Sequence, residues 1–449
     1  MLSLPISPTT MPTLSWDTVL SPHIYVFYVA FLVSFFFTPI MRIVANYYGI
    51  IDQPDQVRKL HAAPVAYLGG VAVFIGWLAA LAASQIHLPQ EEIGSPHLQI
   101  KLNVVIGAFI ILALGLWDDV KRIPPRHKIL GQVIVGIILL KGGVGSHCLD
   151  PLFNPINLRL QNVFGPHIHL PHPIIDLLSW SFVVCTVVGC CNATNLMDGL
   201  DGLCGGVTAV ISAGFLFLAI QLAMLSLEPD WDAVRIVLAL ALLGAVLGFV
   251  PFNFNPASIF MGDAGSMFLG YSCATLIILL AQEQSKWLLA ALVMFALPIL
   301  DTSLAFVRRW VNKRPLFSAD RHHFHHQLVA RGFSIRKTVV ISYGLAIAFC
   351  LLGMFIAYMR TRYAIAFYLV IFGSLIVAAY KMGLVHEKSR MVSPKSLASI
   401  DAVIPSTPNS QTSVVELPDP PQSNRPEIRS GPDYPEAVSE SENETEVRR

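Results

Sequence analysis

The sequence predicts an all-α polytopic membrane protein, a bundle of about eleven transmembrane helices, and three observations support this fold class. Of the 449 residues, 54% are hydrophobic and only 13% are charged, whereas soluble domains carry roughly a quarter charged residues. Apolar runs of about 20 residues, long enough to cross a bilayer as a helix, recur along the chain. We find no alternating pattern of the kind that a transmembrane β-barrel requires.

The apolar runs divide the chain into three parts. Residues 1–21 lack the basic residues that begin a signal peptide, so they are predicted to be a short external N-terminus. Residues 22–385 are predicted to be the membrane domain. Residues 386–449 are rich in Ser, Pro, Glu and Asn, and we expect a disordered cytoplasmic tail. The predicted spans are 22–47, 67–86, 102–117, 129–142, 174–192, 203–226, 234–251, 265–282, 287–307, 337–359 and 362–381.

Lysine and arginine residues predict the orientation of these helices, because cytoplasmic loops carry an excess of them. Loops after odd-numbered spans contain clusters such as Lys121-Arg122 and Arg308-Arg309, whereas loops after even-numbered spans contain few. The odd-numbered loops are therefore predicted to be cytoplasmic, and the loop 143–173 is predicted to be external and to contain a small hairpin. The net charge of +1 gives no overall attraction to nucleic acid, which is not expected as a partner.

An acidic pair, Asp118-Asp119, ends the third span on the predicted cytoplasmic side. Polar side chains near lipid are costly, so they often mark function. Adjacent carboxylates repel each other, and a pair screened from water favours a bound cation. The pair would bind Mg²⁺ or act as a general base, and the alternative is a solvated helix cap neutralised by the basic residues that follow.

The longest polar stretch reads NATNLMDGLDG over residues 192–202, between the fifth and sixth spans. Asn192, Asn195, Asp198 and Asp201 recur at every third position, and on an α-helix this spacing drifts by about 60° per step. The glycine after each acid therefore favours a tight loop that follows the helix end and turns both carboxylates toward a ligand. The alternative is a polar turn with helix caps.

Two further segments contain candidate site residues. Asp263 is predicted at the start of the eighth span, where a helix favours negative charge and phosphate, although Asp is also a common N-cap. Phe260 would stack on a base or anchor the chain at the membrane interface.

The basic loop 308–337 contains the histidine-rich run DRHHFHH at 320–326. Imidazoles suit zinc, but the other candidate donors are carboxylates that suit Mg²⁺, so we expect the histidines to bind phosphate. A basic membrane-surface patch is the alternative.

Taken together and in this order, these segments resemble the polyprenyl-phosphate N-acetylhexosamine-1-phosphate transferases, a superfamily of glycosyltransferase family 4. The similarity runs from about residue 50 to 335. It includes an RKxH…P…GG loop, the WDD segment, NxxNxxDGxDG, PxNxxPAxxFxGDxGS and a His-x-His-His motif at 323–326. The histidine motif is more similar to the N-acetylglucosamine-1-phosphate branch than to the peptidoglycan branch.

The resemblance implies transfer of a sugar-1-phosphate, with N-acetylglucosamine-1-phosphate favoured, from a UDP-sugar to undecaprenyl or another polyprenyl phosphate. UMP would be released, and the product would start a cell-envelope polysaccharide. The implied cofactor is Mg²⁺, with Mn²⁺ as an alternative ion. The protein would be multi-pass in the bacterial inner membrane, with its active site and tail in the cytoplasm, and a homodimer is compatible with this. The alternatives are the phospho-N-acetylmuramoyl-pentapeptide transferase of peptidoglycan synthesis and, more remotely, a polytopic transporter.

The resemblance also implies roles for individual residues. Asp118 is implied as the base that acts on the lipid phosphate, and Asn253 with Phe260 as part of a uracil pocket. The implied metal ligands are Asp263 and Asp198. The implied catalytic residues are Asp118, Asp119, Asp198, Asp201 and His325. The implied substrate-binding residues are Lys59, Asn192, Asn195, Asn253, Phe260, His323, His326 and Arg321.

Overall fold

A computed structural model of the chain describes residues 15–52, 64–86, 100–225, 229–313 and 323–381. Within these ranges nearly all residues are helical, and the predicted all-α fold is confirmed. The predicted tail, 386–449, lies outside the described residues. The helices are α1 (Trp16–Leu20), a 3₁₀ turn (Ser21–His23), α2 (Ile24–Tyr47), α3 (Gly69–Ile86), α4 (Leu102–Lys121), α5 (Pro125–Lys141), α6 (Asp150–Phe164), α7 (His172–Met197), α8 (Leu203–Met224), α9 (Pro229–Asn253), α10 (Gly262–Ala281), α11 (Ser285–Met294), α12 (Ala296–Val311), α13 (Phe324–Ala330), α14 (Ile335–Ala357) and α15 (Thr361–Lys381).

Eight membrane-spanning candidates in the described part of the chain are long and apolar enough to cross a bilayer. They are α3, α4, α7, α8, α9, α10, α14 and the continuous stretch from α1 to α2. A ninth crossing results if α11 and α12, which bend by 72° about Phe295, form one broken span. The remaining predicted spans coincide with α5, which has 17 residues, and with α15, whose apolar part is Thr361–Ser374. Each predicted span therefore coincides with helix, and the chain is a multi-pass membrane protein.

Helix α10 lies at the centre of the bundle. Every residue of α10 except Asp263 is buried. Glycines let its neighbours approach: a Cβ added to Gly70 of α3 or to Gly115 of α4 would overlap backbone atoms of α10, and one added to Gly270 would overlap the backbone of α7. Small residues permit such close backbone contacts between helices in membranes. The N-terminus of α10 is thereby placed against α3 and α4, and the middle of α10 against α7.

A short antiparallel sheet, β1 (Ile51–Asp52) with β2 (Val65–Ala66), connects α2 to α3. The amide of Phe260 donates to the carbonyl of Ala66 (2.8 Å), and the amide of Gly69 donates to the carbonyl of Phe260 (3.0 Å). These hydrogen bonds join the segment before α10 to the start of α3.

The predicted hairpin in the loop 143–173 is wrong, because the described residues of this segment contain helix α6 and no strand. Pro151 lies in the first turn of α6, where a missing N–H costs little. The side chain of Asn157 donates to the carbonyl of Leu170 (3.2 Å) and accepts its amide (2.8 Å). Proline therefore begins this helix, and asparagine fastens it to the stretch before α7.

Candidate active site

Four carboxylates from three parts of the chain lie at one end of the bundle. Asp118 and Asp119 occupy the last turn of α4, and Asp263 occupies the first turn of α10. Asp198 follows the C-terminus of α7, close enough to Asp263 and Asp119 for their charges to interact. The close contact at Gly115, one turn before Asp118, brings the ends of α4 and α10 together. The structure therefore assembles the residues predicted to bind the metal and the predicted acidic pair.

Lys128, in the first turns of α5, supplies the cation that contacts these acids within the described ranges. Its ammonium group donates to a carboxylate oxygen of Asp263 (2.7 Å) and forms an ion pair with Asp118. The Lys128 side chain is only 17% exposed. From the sequence, Lys128 was not predicted to belong to the site. Its role was missed because the packing of α5 against the site depends on tertiary contacts.

The two acids of the pair have different surroundings. Asp119 accepts the backbone amides of Asp263 (2.8 Å) and Ala264 (3.1 Å), which have no partner inside α10. Asp119 therefore caps α10 from a neighbouring helix. Asp118 accepts the amide of Ile123 (2.7 Å) with one oxygen, and its other oxygen faces Lys128. Of the pair, Asp118 therefore has an oxygen that faces Lys128 and Asp263.

The two asparagines of the central stretch lie on α7 and have different partners. The side-chain amide of Asn195 donates to Asp263 (2.9 Å) and to the hydroxyl of Ser266 (3.0 Å). Asn192, one turn earlier, donates to the side chain of Gln132 on α5 (2.7 Å). Asn195 therefore orients the predicted metal ligand, whereas Asn192 fastens α5 to α7.

The predicted tight loop after Asn195 is confirmed, since α7 ends at Met197 and α8 begins at Leu203. Gly202 has φ +80°, a conformation that favours glycine. Burial and the nearby charges of Asp263 and Asp119 raise the pKa of Asp198 to about 8. No residue in the described ranges donates a hydrogen bond to the Asp198 carboxylate. This carboxylate can therefore accept a cation.

Asp201 and Asn253 join the same loop to the segment before α10. Asp201 accepts the side chain of Asn255 (2.9 Å) and the amide of Ala257 (3.1 Å). The buried side chain of Asn253 accepts the amide of Gly202 (3.0 Å) and donates to a backbone carbonyl. Both predicted site residues thus hold two loops together in this structure.

Phe260, predicted in the uracil pocket with Asn253, lies in the segment that pairs with β2. Its ring packs against Tyr67, with 6.0 Å between the ring centroids. The ring is half-buried. Asn253 is the last residue of α9 and Phe260 lies in the segment that connects α9 to α10, and their nucleotide contact stays a prediction.

The histidine motif lies on α13 and on the residue before it. Helix α13 begins at Phe324, so His323 is its N-cap residue and His325 and His326 lie in its first turn. A Cβ added to Gly199 would lie 2.5 Å from Nε2 of His325, which places this imidazole beside the loop that contains Asp198. Burial and the neighbouring His326 lower the pKa of His325 to about 3, so its ring is neutral at physiological pH.

Asp301, a buried acidic residue that contacts this motif, was not predicted from the sequence. Its carboxylate lies 3.0 Å from Nδ1 of His323 and accepts the amide of Phe324 (2.8 Å). The available signal was a single acidic residue inside a predicted span, here the ninth. Acidic residues within membrane spans are rare and usually have a function. The predicted substrate-binding residues Lys59 and Arg321 lie outside the described residues.

The donors at this end of the bundle fit Mg²⁺. Among the described residues the cluster contains four carboxylates and one ammonium group, so negative charge remains in excess. Carboxylate oxygens are the protein ligands that Mg²⁺ prefers. A separate group of potential ligands, His147, Asp150 and Asp176, lies at the opposite end, where their donor atoms are within 4.8 Å of one another. In that group His147 is largely exposed, and its Nδ1 lies 3.6 Å from an oxygen of Asp150 and 3.2 Å from an oxygen of Asp176.

Comparison with known proteins gives consistent matches. Residues 102–281 match the sequence model described as glycosyl transferase family 4. A probable undecaprenyl-phosphate N-acetylglucosaminyl 1-phosphate transferase from Bacillus subtilis is 32% identical over 367 residues, which cover 81% of this chain and 92% of that protein. A decaprenyl-phosphate N-acetylglucosaminephosphotransferase from Mycobacterium tuberculosis is 32% identical over 332 residues, 70% of this chain and 77% of that protein. A phospho-N-acetylmuramoyl-pentapeptide-transferase from Bacillus cytotoxicus is 28% identical over 345 residues, 73% of this chain and 95% of that protein.

Proposed function

This chain belongs to glycosyl transferase family 4, with the polyprenyl-phosphate sugar-1-phosphate transferases, and we propose that it transfers N-acetylglucosamine-1-phosphate from UDP-N-acetylglucosamine to a polyprenyl phosphate. The observation that carries the proposal is the acidic cluster at one end of the bundle, in which Lys128 contacts Asp118 and Asp263, and Asp198 lies close enough to Asp263 for their charges to interact. The ends of membrane-spanning helices lie at the membrane surface, where a lipid and a soluble nucleotide can meet. The identity of 31–32% to relatives named for N-acetylglucosamine supports the choice of sugar.

The chemistry explains why charges of both signs are needed. An oxygen of the lipid phosphate attacks the phosphorus attached to the sugar, a new P–O bond forms, and the bond to UMP breaks. Both reactants are anions, so their repulsion must be neutralised. Bound Mg²⁺, or Mn²⁺, would neutralise charge on the diphosphate, and Asp198 and Asp263 would hold it. The ions, the UDP-sugar and a homodimer remain predictions.

The contacts of each acid suggest how the roles divide. Asp118 is proposed to accept a proton from the lipid phosphate, because the oxygen that does not bind the amide of Ile123 faces Lys128 and Asp263. Asp119 would act by holding the N-terminus of α10, and Asn195 by orienting Asp263. Lys128 would limit the repulsion between Asp118 and Asp263 before the substrates bind.

Transfer of a phospho-N-acetylmuramoyl-pentapeptide is a second candidate, because relatives of that name match at 27–28% identity over nearly their whole length. A donor-competition assay separates the two: excess UDP-N-acetylmuramoyl-pentapeptide should leave N-acetylglucosamine transfer unchanged. The transporter alternative is disfavoured, since the chain belongs to an enzyme family and the four clustered acids lie at helix ends.

The proposal is tested with membranes that contain the protein, labelled UDP-N-acetylglucosamine and undecaprenyl phosphate. We expect Mg²⁺-dependent release of UMP and an equal amount of lipid-linked label. Chelation with EDTA should stop both, and added Mg²⁺ or Mn²⁺ should restore them. Absence of UMP release with several UDP-sugars would reject the proposed function.

The variant Asp263→Asn should lower turnover on the order of 100-fold or more, since a metal ion contributes several kcal/mol to such reactions. The matched control is Asp150→Asn at the opposite end of the bundle, which should retain wild-type turnover. Equal activity of both variants at unchanged expression would remove Asp263 from the site.

A further inference from the structure

Asp301 joins two segments that are far apart in the sequence. It lies on α12, is 7% exposed, and contacts the start of α13 with both carboxylate oxygens. One oxygen accepts the amide of Phe324 (2.8 Å), and the other lies 3.0 Å from Nδ1 of His323. An ionised carboxylate can only accept a hydrogen bond, so at this distance Nδ1 of His323 is the donor and carries the proton. Nε2 is then the ring nitrogen of His323 that is left for another partner.

His325 packs against both members of this pair, His323 and Asp301. Its ring is parallel to that of His323, at 7° and 5.7 Å between centroids, and its Nδ1 lies 4.0 Å from the Asp301 carboxylate. The residue is 1% exposed, and its Nε2 is buried without a hydrogen-bond partner in the described part of the chain. This nitrogen is the side-chain atom nearest to a Cβ added to Gly199, one residue after Asp198.

An unpaired buried nitrogen is costly, and native structures keep few of them. The Nε2 of His325 lies beside the loop that contributes Asp198, where the proposed reaction places two phosphate groups. A phosphate oxygen would supply the missing partner and accept a hydrogen bond from Nε2–H.

We propose that Asp301 is a positioning residue for the transfer reaction: it holds α13 so that Nε2–H of His325 meets an anionic substrate, and it fixes the Nδ1–H tautomer of His323, which leaves Nε2 of His323 to accept a hydrogen bond from a protonated group of the substrate. This inference rests on the proposed function for the identity of that anion. Asp301 itself touches neither substrate.

The variant Asp301→Asn separates positioning from simple packing. Asn has the same shape and its oxygen can still accept the amide of Phe324. Its NH₂ group would donate to His323, which moves the histidine proton from Nδ1 to Nε2. A similar loss of the correct tautomer is known to impair catalysis when the acid of a serine-protease triad is replaced by its amide.

The first measurement compares kcat, KM and the pH profile of wild-type protein, Asp301→Asn and the control Asp176→Asn, which lies at the opposite end of α7. We expect Asp301→Asn to lower kcat on the order of 100-fold and to alter the pH profile. Its thermal stability in detergent and its binding of UMP should stay at wild-type values, as should every property of the control. Wild-type kcat and pH profile in Asp301→Asn would overturn the proposal, as would a loss of activity that follows a loss of stability.

A second measurement does not depend on activity. Diethyl pyrocarbonate reacts with an unprotonated imidazole nitrogen, and mass spectrometry locates the modified residue. The rate at His323 should fall severalfold in Asp301→Asn, because Nε2 becomes protonated, whereas mere loosening of the fold would raise it. An unchanged or higher rate overturns the inference. If wild-type protein instead releases no UMP, the proposed function fails, and this labelling still decides whether Asp301 sets the tautomer.

Discussion

Lys128 has an unusual position for a lysine, between two carboxylates and largely shielded from solvent. Its ammonium group contacts Asp118 and Asp263, and both acids have functions proposed above. In the low dielectric of a partly buried site, each such charge strongly affects its neighbours. Under the proposed function the same acids would interact with Lys128, a divalent cation and the substrates, so removal of one charge should change the binding of the others.

The variant Lys128→Met tests this expectation. Loss of the ammonium group adds a net negative charge beside Asp263, so the Mg²⁺ concentration for half-maximal rate should fall about 10-fold. The maximal rate should fall as well, because the repulsion between Asp118 and Asp263 is no longer limited. A Mg²⁺ titration of UMP release measures both effects. The control Lys141→Met, at the other end of α5, should leave both unchanged, and a higher Mg²⁺ requirement in Lys128→Met would contradict the expectation.

At the scale of elements, α10 determines where the site residues meet. Its surface is buried on all sides, and its neighbours approach through glycines. Gly115 lies one turn before Asp118, so the spacing between α4 and α10 sets the spacing between the acidic pair and Asp263. The capping of α10 by Asp119 depends on the same close approach.

The variant Gly115→Ala should separate α4 from α10, because the added methyl group overlaps the backbone of α10. Overpacking of this kind typically costs about 1–3 kcal/mol, so we expect a lower melting temperature in detergent together with lower turnover. Gly344→Ala on α14 is the matched control, since an added Cβ there meets nothing within 4 Å. Wild-type melting and turnover in Gly115→Ala would show that this contact does not set the site geometry.

Hydropathy predicted the helices well because a segment must be long and apolar to cross a bilayer, whichever helices it packs against. The acids of α4, α10 and the α7–α8 loop were predicted to converge because they end spans on the same side. Their partners could not be predicted. The sequence of α10 is apolar around its whole circumference, so no periodicity indicates which helix packs on which face. Lys128 and Asp301 depend on such packing. The bend between α11 and α12 has a local cause instead, because Pro298 has no N–H to donate to the carbonyl of Met294, where α11 ends.

At the scale of the whole molecule, the alternation of helices places the candidate site and the loop containing α6 at opposite ends of α5 and α7. The positive-inside rule then predicts that the site faces the cytoplasm. The free cysteines described in the structure are buried except Cys185, which lies within a membrane span. Introduced cysteines can therefore report which side each end occupies.

Two single substitutions, Lys121→Cys at the site end and His147→Cys at the opposite end, test this orientation. A membrane-impermeant maleimide should label His147→Cys in intact cells and Lys121→Cys only after lysis. Wild-type protein controls for background from the native cysteines. The reverse pattern would place the site outside the cell, away from a cytoplasmic nucleotide-sugar donor.

The central claim is that Asp198 and Asp263, which are on separate elements, act on one Mg²⁺-dependent step. The most direct test is the turnover of Asp198→Asn, Asp263→Asn and the double variant at saturating substrates. Residues that act as a unit give non-additive losses. We predict that the double variant has about the same activity as the less active of the two single variants. Losses that multiply, with an unchanged Mg²⁺ requirement in each single variant, would contradict the proposal.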